Sequence, residues 1–189
     1  MNEKSRQDIA GFFLQDSRDY LVRFSMLFNE NGFTHIGDRS KLLVDILFSI
    51  ECSLKALIFL ESQDDEKTTY KRIKKCSHRI EKLISTIQSV DAEFFNFKNF
   101  VSQISLDEYS ICSRYSLEAN IYFRENGVLG DKYYSTIANS NWIETLYEEA
   151  KKLKGYVDSK KAPPSVTHFS DIDLNELLEN QKRLSDIAK

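Results

Sequence analysis

The feature that most constrains this chain is one long apolar segment, which runs from Arg39 to Gln63. Its leucines, isoleucines and phenylalanines recur at steps of three and four residues, the period of an α-helix, and they cover most of the helix circumference. Such a helix would be about 36 Å long. Three ionisable residues, Asp45, Glu51 and Lys55, interrupt it, and each would be costly inside a lipid bilayer. We therefore predict the buried central helix of a bundle rather than a membrane span.

The composition favours an all-α fold. The chain has 189 residues, of which 41% are hydrophobic, so it can bury one core and still carry an appended segment. It contains only two prolines and six glycines. A small β protein needs many tight turns, which these two residues commonly form, so the composition favours long helices. We predict an all-α bundle of four to five main helices, with additional short helices and a C-terminal appended helix.

Apolar spacing and capping residues predict the other helices. Ser77 is a good N-cap, and Ser105 with Glu108 matches a capping box. The polar stretch from Asp64 to Cys76 is interpreted as a crossover between two helices. The predicted helices are Asp8–Asn29, Ser77–Ile87, Asp91–Ile104, Ser105–Ser113, Leu117–Arg124 and a last one that begins at Asn141 and ends at Gly155 or Ser159.

Two adjacent prolines, Pro163 and Pro164, mark the predicted domain boundary because proline cannot continue a helix. We predict a helical bundle over residues 1–159, a linker over residues 160–170, and an acidic amphipathic helix over residues 171–189. This last helix is expected to be an appendage, either docked or mobile.

The N-terminal residues lack the basic region, apolar run and cleavage site of a signal peptide, so we predict a cytoplasmic protein. Cys52, Cys76 and Cys112 are odd in number and form no CxxC pair, which indicates neither a disulfide framework nor a zinc site. We expect ordinary buried cysteines, no metal and no cofactor. The motifs of P-loop nucleotide hydrolysis, serine hydrolysis and zincin chemistry are absent.

The strongest functional signal is a basic island between Lys71 and Lys82. It holds six basic residues against one acidic residue, Glu81, a local charge of +5, and the remainder of the chain, which totals -3, therefore carries -8. Such an island attracts phosphate groups, and the neighbouring Tyr70 could stack on a base. The alternative is a solvated loop that balances the acidic residues 64–66. The basic residues are Lys71, Arg72, Lys74, Lys75, Arg79 and Lys82.

His78 is predicted in the first turn of the third helix, where the helix dipole favours a neutral imidazole that can act as a base. A capping or packing role is the alternative. Arg72 lies six residues upstream and would converge on His78 only if the chain bends between them. Arg114, beside Tyr115, either anchors a turn through carbonyls or a carboxylate such as Glu51, or contacts a ligand.

Three segments together resemble one family. Glu51 to Leu57, ECSLKAL, resembles the Glu-x-x-x-Lys-Ala-Leu of HEPN domains (higher eukaryotes and prokaryotes nucleotide-binding). Ser77 to Leu83 is similar to their small-residue-His-x-Leu helix start, and Ser113 to Ser116 resembles their Arg-Tyr before the final helix. The order and spacing match over roughly residues 8 to 158.

The resemblance implies a helical bundle that often dimerises and that occurs in toxin–antitoxin and antiphage modules. Many members are metal-independent RNases with Arg-x4-6-His, a spacing that Arg72 and His78 satisfy, although in those members the motif usually lies nearer the chain end. We expect a non-catalytic module that binds RNA, a nucleotide or a partner protein from the same operon, forms a homodimer and does not enter a membrane.

The alternative is a metal-independent endoribonuclease, in which Arg72 stabilises the phosphorane and His78 activates the ribose 2′-hydroxyl. The expected binding residues are Lys71, Lys74, Lys75, Arg79, Lys82, Tyr70, Glu51, Lys55, Arg114 and Tyr115.

Overall fold

The structure, a computed structural model, describes residues 3–30, 35–109, 115–162 and 174–188. Helices dominate these ranges, and the predicted all-α class is confirmed. The helices are α1 Glu3–Glu30, α2 Ile36–Glu61, α3 Glu66–Cys76, α4 Ile80–Ser85, α5 Ala92–Ile104, α6 Ser116–Tyr122, α7 Asp131–Ser135, α8 Ser140–Lys160 and α9 Leu174–Ala188. A 3-10 turn covers Leu106–Glu108, and two strands, β1 Arg124–Glu125 and β2 Val128–Leu129, form a hairpin.

The predicted central helix is α2, and it forms the centre of the core. Most of its apolar side chains are buried, and those of Leu43, Ile50 and Leu54 are fully buried. It packs mainly against α1, which runs antiparallel to it, as the contacts at the two ends of the pair show. The Phe13 and Phe59 rings stack 5.9 Å apart at one end, and Arg23 pairs with Asp45 towards the other.

The last bundle helix, α8, closes the core on a second side of α2. Its buried stripe follows the predicted spacing, with Ile143, Leu146 and Val157 turned inward. The Asn139 side chain accepts a hydrogen bond from the Trp142 backbone N–H at 3.2 Å and caps the first turn. The helix was predicted to begin at Asn141 and to end at Gly155 or Ser159; it begins one residue earlier, and the later of the two ends is within one residue of the observed one.

The predicted crossover from Asp64 to Cys76 is wrong, because most of this stretch is helix α3. Asp65 caps it by accepting a hydrogen bond from the Thr68 backbone N–H at 3.0 Å. Thr69, Ile73 and Cys76 are buried along one face. Three small or medium side chains among many charged ones give only a weak helical pattern in the sequence. The helix is stable here because α2 and α4 cover this face.

Ser77 does not cap the next helix, which corrects the predicted start of the third helix. Its backbone adopts a φ of 54°, in the left-handed half of conformational space, and the chain bends there. Helix α4 begins three residues later, at Ile80. His78 therefore lies in a connection between two helices, and the helix-dipole argument for its neutral form does not apply.

The predicted capping box at Ser105 is also wrong. Ser105 has a φ of 49° and ends α5, with its backbone N–H bonded to the Val101 carbonyl at 3.1 Å. A 3-10 turn follows instead of a helix, and the predicted continuation over residues 110–113 lies outside the described residues.

Asn126 and Gly127 form the turn of the hairpin that the sequence reasoning missed. Both have positive φ, 52° and 84°, as a two-residue type I′ turn requires, and Arg124 pairs with Leu129 across it. The Asn-Gly pair had been predicted only as the end of a helix.

The C-terminal helix α9 lies against the start of α3. Arg183 approaches the Glu66 carboxylate at 3.5 Å, and Leu184 and Ile187 pack on the core. The two prolines and most of the predicted linker lie outside the described residues, so the division of the chain at residues 160–170 stays a prediction. None of the described helices is both long enough and apolar enough to cross a bilayer.

Candidate functional site

The basic island forms an exposed surface on α3 and on the connection to α4. We call this set, Lys71, Lys74, Lys75, His78, Arg79 and Lys82, the basic surface, and every member is exposed to solvent. Lys71 and Lys74 are three residues apart, so they share one side of α3. Among the described residues, no carboxylate forms an ion pair with any of its lysines or with Arg79.

The acidic residues 64–66 do not balance this surface, contrary to the alternative considered from the sequence. Asp64 pairs with Arg72 at 2.8 Å, Asp65 caps α3, and Glu66 contacts Ser5 and Arg183. Each carboxylate is therefore engaged elsewhere. The positive charge of the basic surface remains available to an anion.

Tyr70, predicted to stack on a base, is half-buried beside the basic surface. The Lys74 ammonium lies 5.7 Å from its ring centroid, within the range of a cation–π contact. One side of the ring is thus turned towards Lys74, and the stacking role stays a prediction.

Glu51, Lys55 and His78 meet in a cluster below the basic surface. The Glu51 side chain is only 6% exposed, and its carboxylate accepts a hydrogen bond from Lys55 Nζ at 2.6 Å. His78 Nδ1 lies 3.0 Å from both carboxylate oxygens. A buried carboxylate is stable when it is paired and hydrogen-bonded, and these two partners meet that need.

The cluster fixes the orientation of the His78 imidazole. A carboxylate accepts only, so Nδ1 must carry the proton and donate it to Glu51. In a neutral imidazole, Nε2 would then have a free lone pair, and no described residue forms a hydrogen bond with it. Because the His78 side chain is 47% exposed, this nitrogen is accessible to a proton donor from solvent.

Sequence reasoning named all three residues of this cluster but did not connect Glu51 with His78, which is 27 positions away. One signal was present. A carboxylate inside the most apolar helix needs a cation or a hydrogen-bond donor, and His78 was predicted near a helix start.

Arg72 is bound at a different place. Its Nη1 donates to Asp64 at 2.8 Å and its Nη2 to Ser62 at 3.2 Å, just beyond the C-terminal end of α2. Glu51, the partner of His78, is eleven positions before Ser62, or roughly 16 Å along a helix axis. The bend at Ser77 does not bring Arg72 and His78 to a common partner, and their joint catalytic role stays a prediction.

The remaining candidate residues and the cysteines add no further feature to this site. Arg114 lies outside the described residues, and Tyr115 is an exposed residue before α6. Burial raises the pKa of the Cys52 thiol to about 12, and it also raises the pKa of Cys76. Both thiols are therefore protonated and unreactive at neutral pH. Cys112 lies outside the described residues, and within them no cluster of His, Cys, Asp and Glu is suited to a metal ion.

Comparisons of the chain with family models, curated proteins and solved structures found no match.

Proposed function

We propose that this protein is a HEPN-like module that binds single-stranded RNA through the basic surface and does not cleave it. The observation that carries the proposal is that Lys71, Lys74, Lys75, Arg79 and Lys82 are exposed without an ionic partner in the described residues, on a chain with net negative charge. Phosphate contacts dominate the affinity of proteins for nucleic acids, and each releases counterions from the strand.

The test is the salt dependence of RNA binding. Fluorescence anisotropy with a labelled single-stranded RNA should show affinity that falls as salt rises, with a slope near -0.7 per phosphate contact. Lys74→Ala with Lys75→Ala should weaken binding and flatten the slope by about 1.4 units, since two contacts are lost.

The matched control is Lys41→Ala with Lys98→Ala. These lysines are exposed on α2 and α5, so the pair removes the same charge from other surfaces and should leave the slope unchanged. Equal effects of the two double variants would mean that net charge, and not the basic surface, governs binding. Absence of binding by the wild type at low salt would overturn the proposal.

A second candidate function is metal-independent cleavage of RNA, and the Glu51–His78 pair favours it. A neutral imidazole oriented by a carboxylate is an arrangement that serves general-base catalysis. His78 Nε2 would take the proton of a ribose 2′-hydroxyl, and the 2′-oxygen would attack the adjacent phosphorus. The P–O5′ bond would break and the leaving 5′-oxygen would take a proton from solvent, giving a 2′,3′-cyclic phosphate and a 5′-hydroxyl.

We place cleavage second because Arg72, the cation expected to stabilise the phosphorane, is bound to Asp64 and Ser62. The deciding assay incubates single-stranded RNA with wild type and His78→Ala in EDTA and separates the products on a gel. No cleavage by either protein is expected. Metal-independent cleavage that disappears in His78→Ala would replace binding with catalysis as the function.

The wider setting rests on the resemblance to HEPN domains. We propose a homodimer, and the exposed Phe12, Val22 and Met26 on the outer side of α1 support an apolar contact there. Light scattering of wild type and Phe12→Ser tests it, and a monomeric wild type would remove this part. A toxin–antitoxin or antiphage role predicts co-purification with the product of a neighbouring gene.

A further inference from the structure

A cavity of about 220 Å³ lies where the end of α2 meets α3 and the chain that follows α4. Arg72 and the apolar side chains of Ile58 and Ile87 are among the residues that line it. Gln63 and Gln88 lie at its exposed edge. The cavity thus combines a planar cation, an apolar wall and amide groups.

Both carboxylates that line the cavity have a cationic partner, and one of these cations, Lys160, is shared with Asp91. Asp64 pairs with Arg72 at 2.8 Å, and Glu61 lies 3.5 Å from Lys160. The carboxylates therefore do not call for a metal or an organic cation. An occupant of this cavity is better described as flat, uncharged and able to form hydrogen bonds.

The side-chain groups at the cavity that have no hydrogen-bond partner among the described residues belong to the two glutamines and to Arg72. No described residue forms a hydrogen bond with the side-chain amide of Gln63 or of Gln88. The Arg72 Nε is buried and has no hydrogen-bond partner among the described residues, while its terminal nitrogens are used by Asp64 and Ser62. A buried N–H without an acceptor is unfavourable. The groups that a ligand can reach are the amides of Gln63 and Gln88, which are exposed.

These properties match an unpaired nucleobase. Single-stranded RNA is recognised by bases that are turned out of the stack, packed on aromatic rings or on arginine guanidinium planes, and hydrogen-bonded along their edges. Among the bases, adenine presents the N6 donor and N7 acceptor that a glutamine amide pairs with in a bidentate manner. Guanine instead accepts two hydrogen bonds at O6 and N7 from an arginine, and both terminal nitrogens of Arg72 already donate to Asp64 and Ser62.

We propose that this cavity binds one unpaired adenine of the RNA held on the basic surface; the inference rests on the proposed function. Lys71 directly precedes Arg72, and Lys75 follows it by about one turn of α3, roughly 4.5 Å along the axis. The phosphates on either side of an adenine in the cavity would thus meet these two lysines. The cavity supplies the base preference, and the basic surface supplies the affinity.

The experiment compares labelled octamers of adenylate and uridylate by fluorescence anisotropy at one salt concentration. The two octamers carry the same phosphates, so the basic surface does not discriminate between them. We expect the adenylate octamer to bind roughly fivefold or more tightly, the lower end of what one bidentate amide–base pair provides. Gln63→Ala with Gln88→Ala should abolish this preference and leave the salt slope unchanged.

Gln103→Ala is the matched control, because Gln103 is an exposed glutamine on α5 outside the cavity. It should keep the adenylate preference. Equal affinity of wild type for the two octamers would overturn the adenine site while leaving the proposed RNA binding intact. A preference for adenylate that persists in Gln63→Ala with Gln88→Ala would also overturn the adenine site and leave the proposed RNA binding intact.

If neither octamer binds, the proposed function fails, and adenosine 5′-monophosphate then tests the cavity alone. Chemical-shift changes confined to Gln63, Gln88 and their neighbours on titration with this nucleotide would keep the adenine site. Their absence would overturn it as well.

Discussion

Two buried carboxylates lie on α2, and their partners differ in kind. The Asp45 side chain is 3% exposed and accepts two hydrogen bonds from the Arg23 guanidinium of α1, one of them 2.8 Å long. The Glu51 side chain is 6% exposed and accepts hydrogen bonds from Lys55 and His78. The two sites are similar in burial, so the difference between them lies in the chemistry of the partners.

Arg23 closes its site. A guanidinium has donors but no lone pair to offer as a base, so the Asp45 pair can hold α1 on α2 but cannot take a proton from a substrate. His78 differs because a neutral imidazole has a lone pair on Nε2, the nitrogen that does not face Glu51, and this side chain is 47% exposed. A buried carboxylate alone is therefore weak evidence for function, and the identity of its outermost partner is more informative.

The largest expected difference concerns the outer partners. Arg23→Ala should lower the free energy of unfolding by about 3 kcal/mol, since it leaves the Asp45 carboxylate buried without its partner. His78→Ala should cost about 1 kcal/mol or less, because Glu51 keeps Lys55 and His78 is half-exposed. Urea denaturation measures both values. Arg18→Ala, an exposed change on α1, is the control, and equal losses for Arg23→Ala and His78→Ala would contradict the comparison.

Replacing the two carboxylates should give a smaller difference in stability, and the larger loss should now occur at the Glu51 site. Glu51→Ala should cost about 2 kcal/mol, because it leaves the Lys55 ammonium, 18% exposed, beside the Phe13 ring without its carboxylate. Asp45→Ala should cost about 1 kcal/mol, since Arg23 is 55% exposed and can be hydrated.

A double variant isolates the cause of this second difference. Glu51→Ala with Lys55→Met should recover part of the lost stability, because the unpaired charge is removed and an apolar chain of similar length replaces it. A double variant that is less stable than Glu51→Ala would show that the loss came from packing and not from Lys55.

The smallest expected effect belongs to Asp91, an exposed carboxylate that serves as a reference for the two buried ones. Hydrogen bonds from Lys160 at 2.5 Å and from Tyr156 at 2.7 Å hold the pKa of Asp91 below its ordinary value of 3.8. A lowered pKa in the folded state means that the stabilisation is present above pH 3.8 and is lost as the pH falls through the folded value.

Melting temperatures of wild type and Asp91→Asn test this sign. The wild type should melt slightly higher at pH 7, and the gap should shrink as the pH falls below 3.8. A gap that widens in acid would mean that the contacts of Asp91 do not favour its ionised form.

The elements that could be predicted from the sequence are those whose pattern is dense. Helix α2 has apolar residues at nearly every inward position, and α8 repeats one stripe over five turns, so both were placed to within a few residues. Helix α3 was missed because its inward face holds only Thr69, Ile73 and Cys76 among lysines. A segment with so few apolar residues forms a stable helix only when neighbouring helices cover its apolar face.

The candidate site could be predicted in part for the same reason. The basic residues are consecutive in the chain, so their surface was visible as composition. The contact between Glu51 and His78 could not be predicted from the sequence, because it depends on where the bend at Ser77 directs the chain between α3 and α4. Ser77 has a positive φ without being glycine, and no local preference of serine announces that conformation.

By itself, then, the sequence determined the helical class, the central position of α2 and the place of the positive charge, because each depends on residues close together in the chain. Only the tertiary structure decided that Glu51 orients His78 and that Arg72 is bound at Asp64 and Ser62. Both contacts join separate elements, and their geometry depends on the packing of α3 and α4 against α2. Periodicity and capping describe one element at a time and carry no information about that packing.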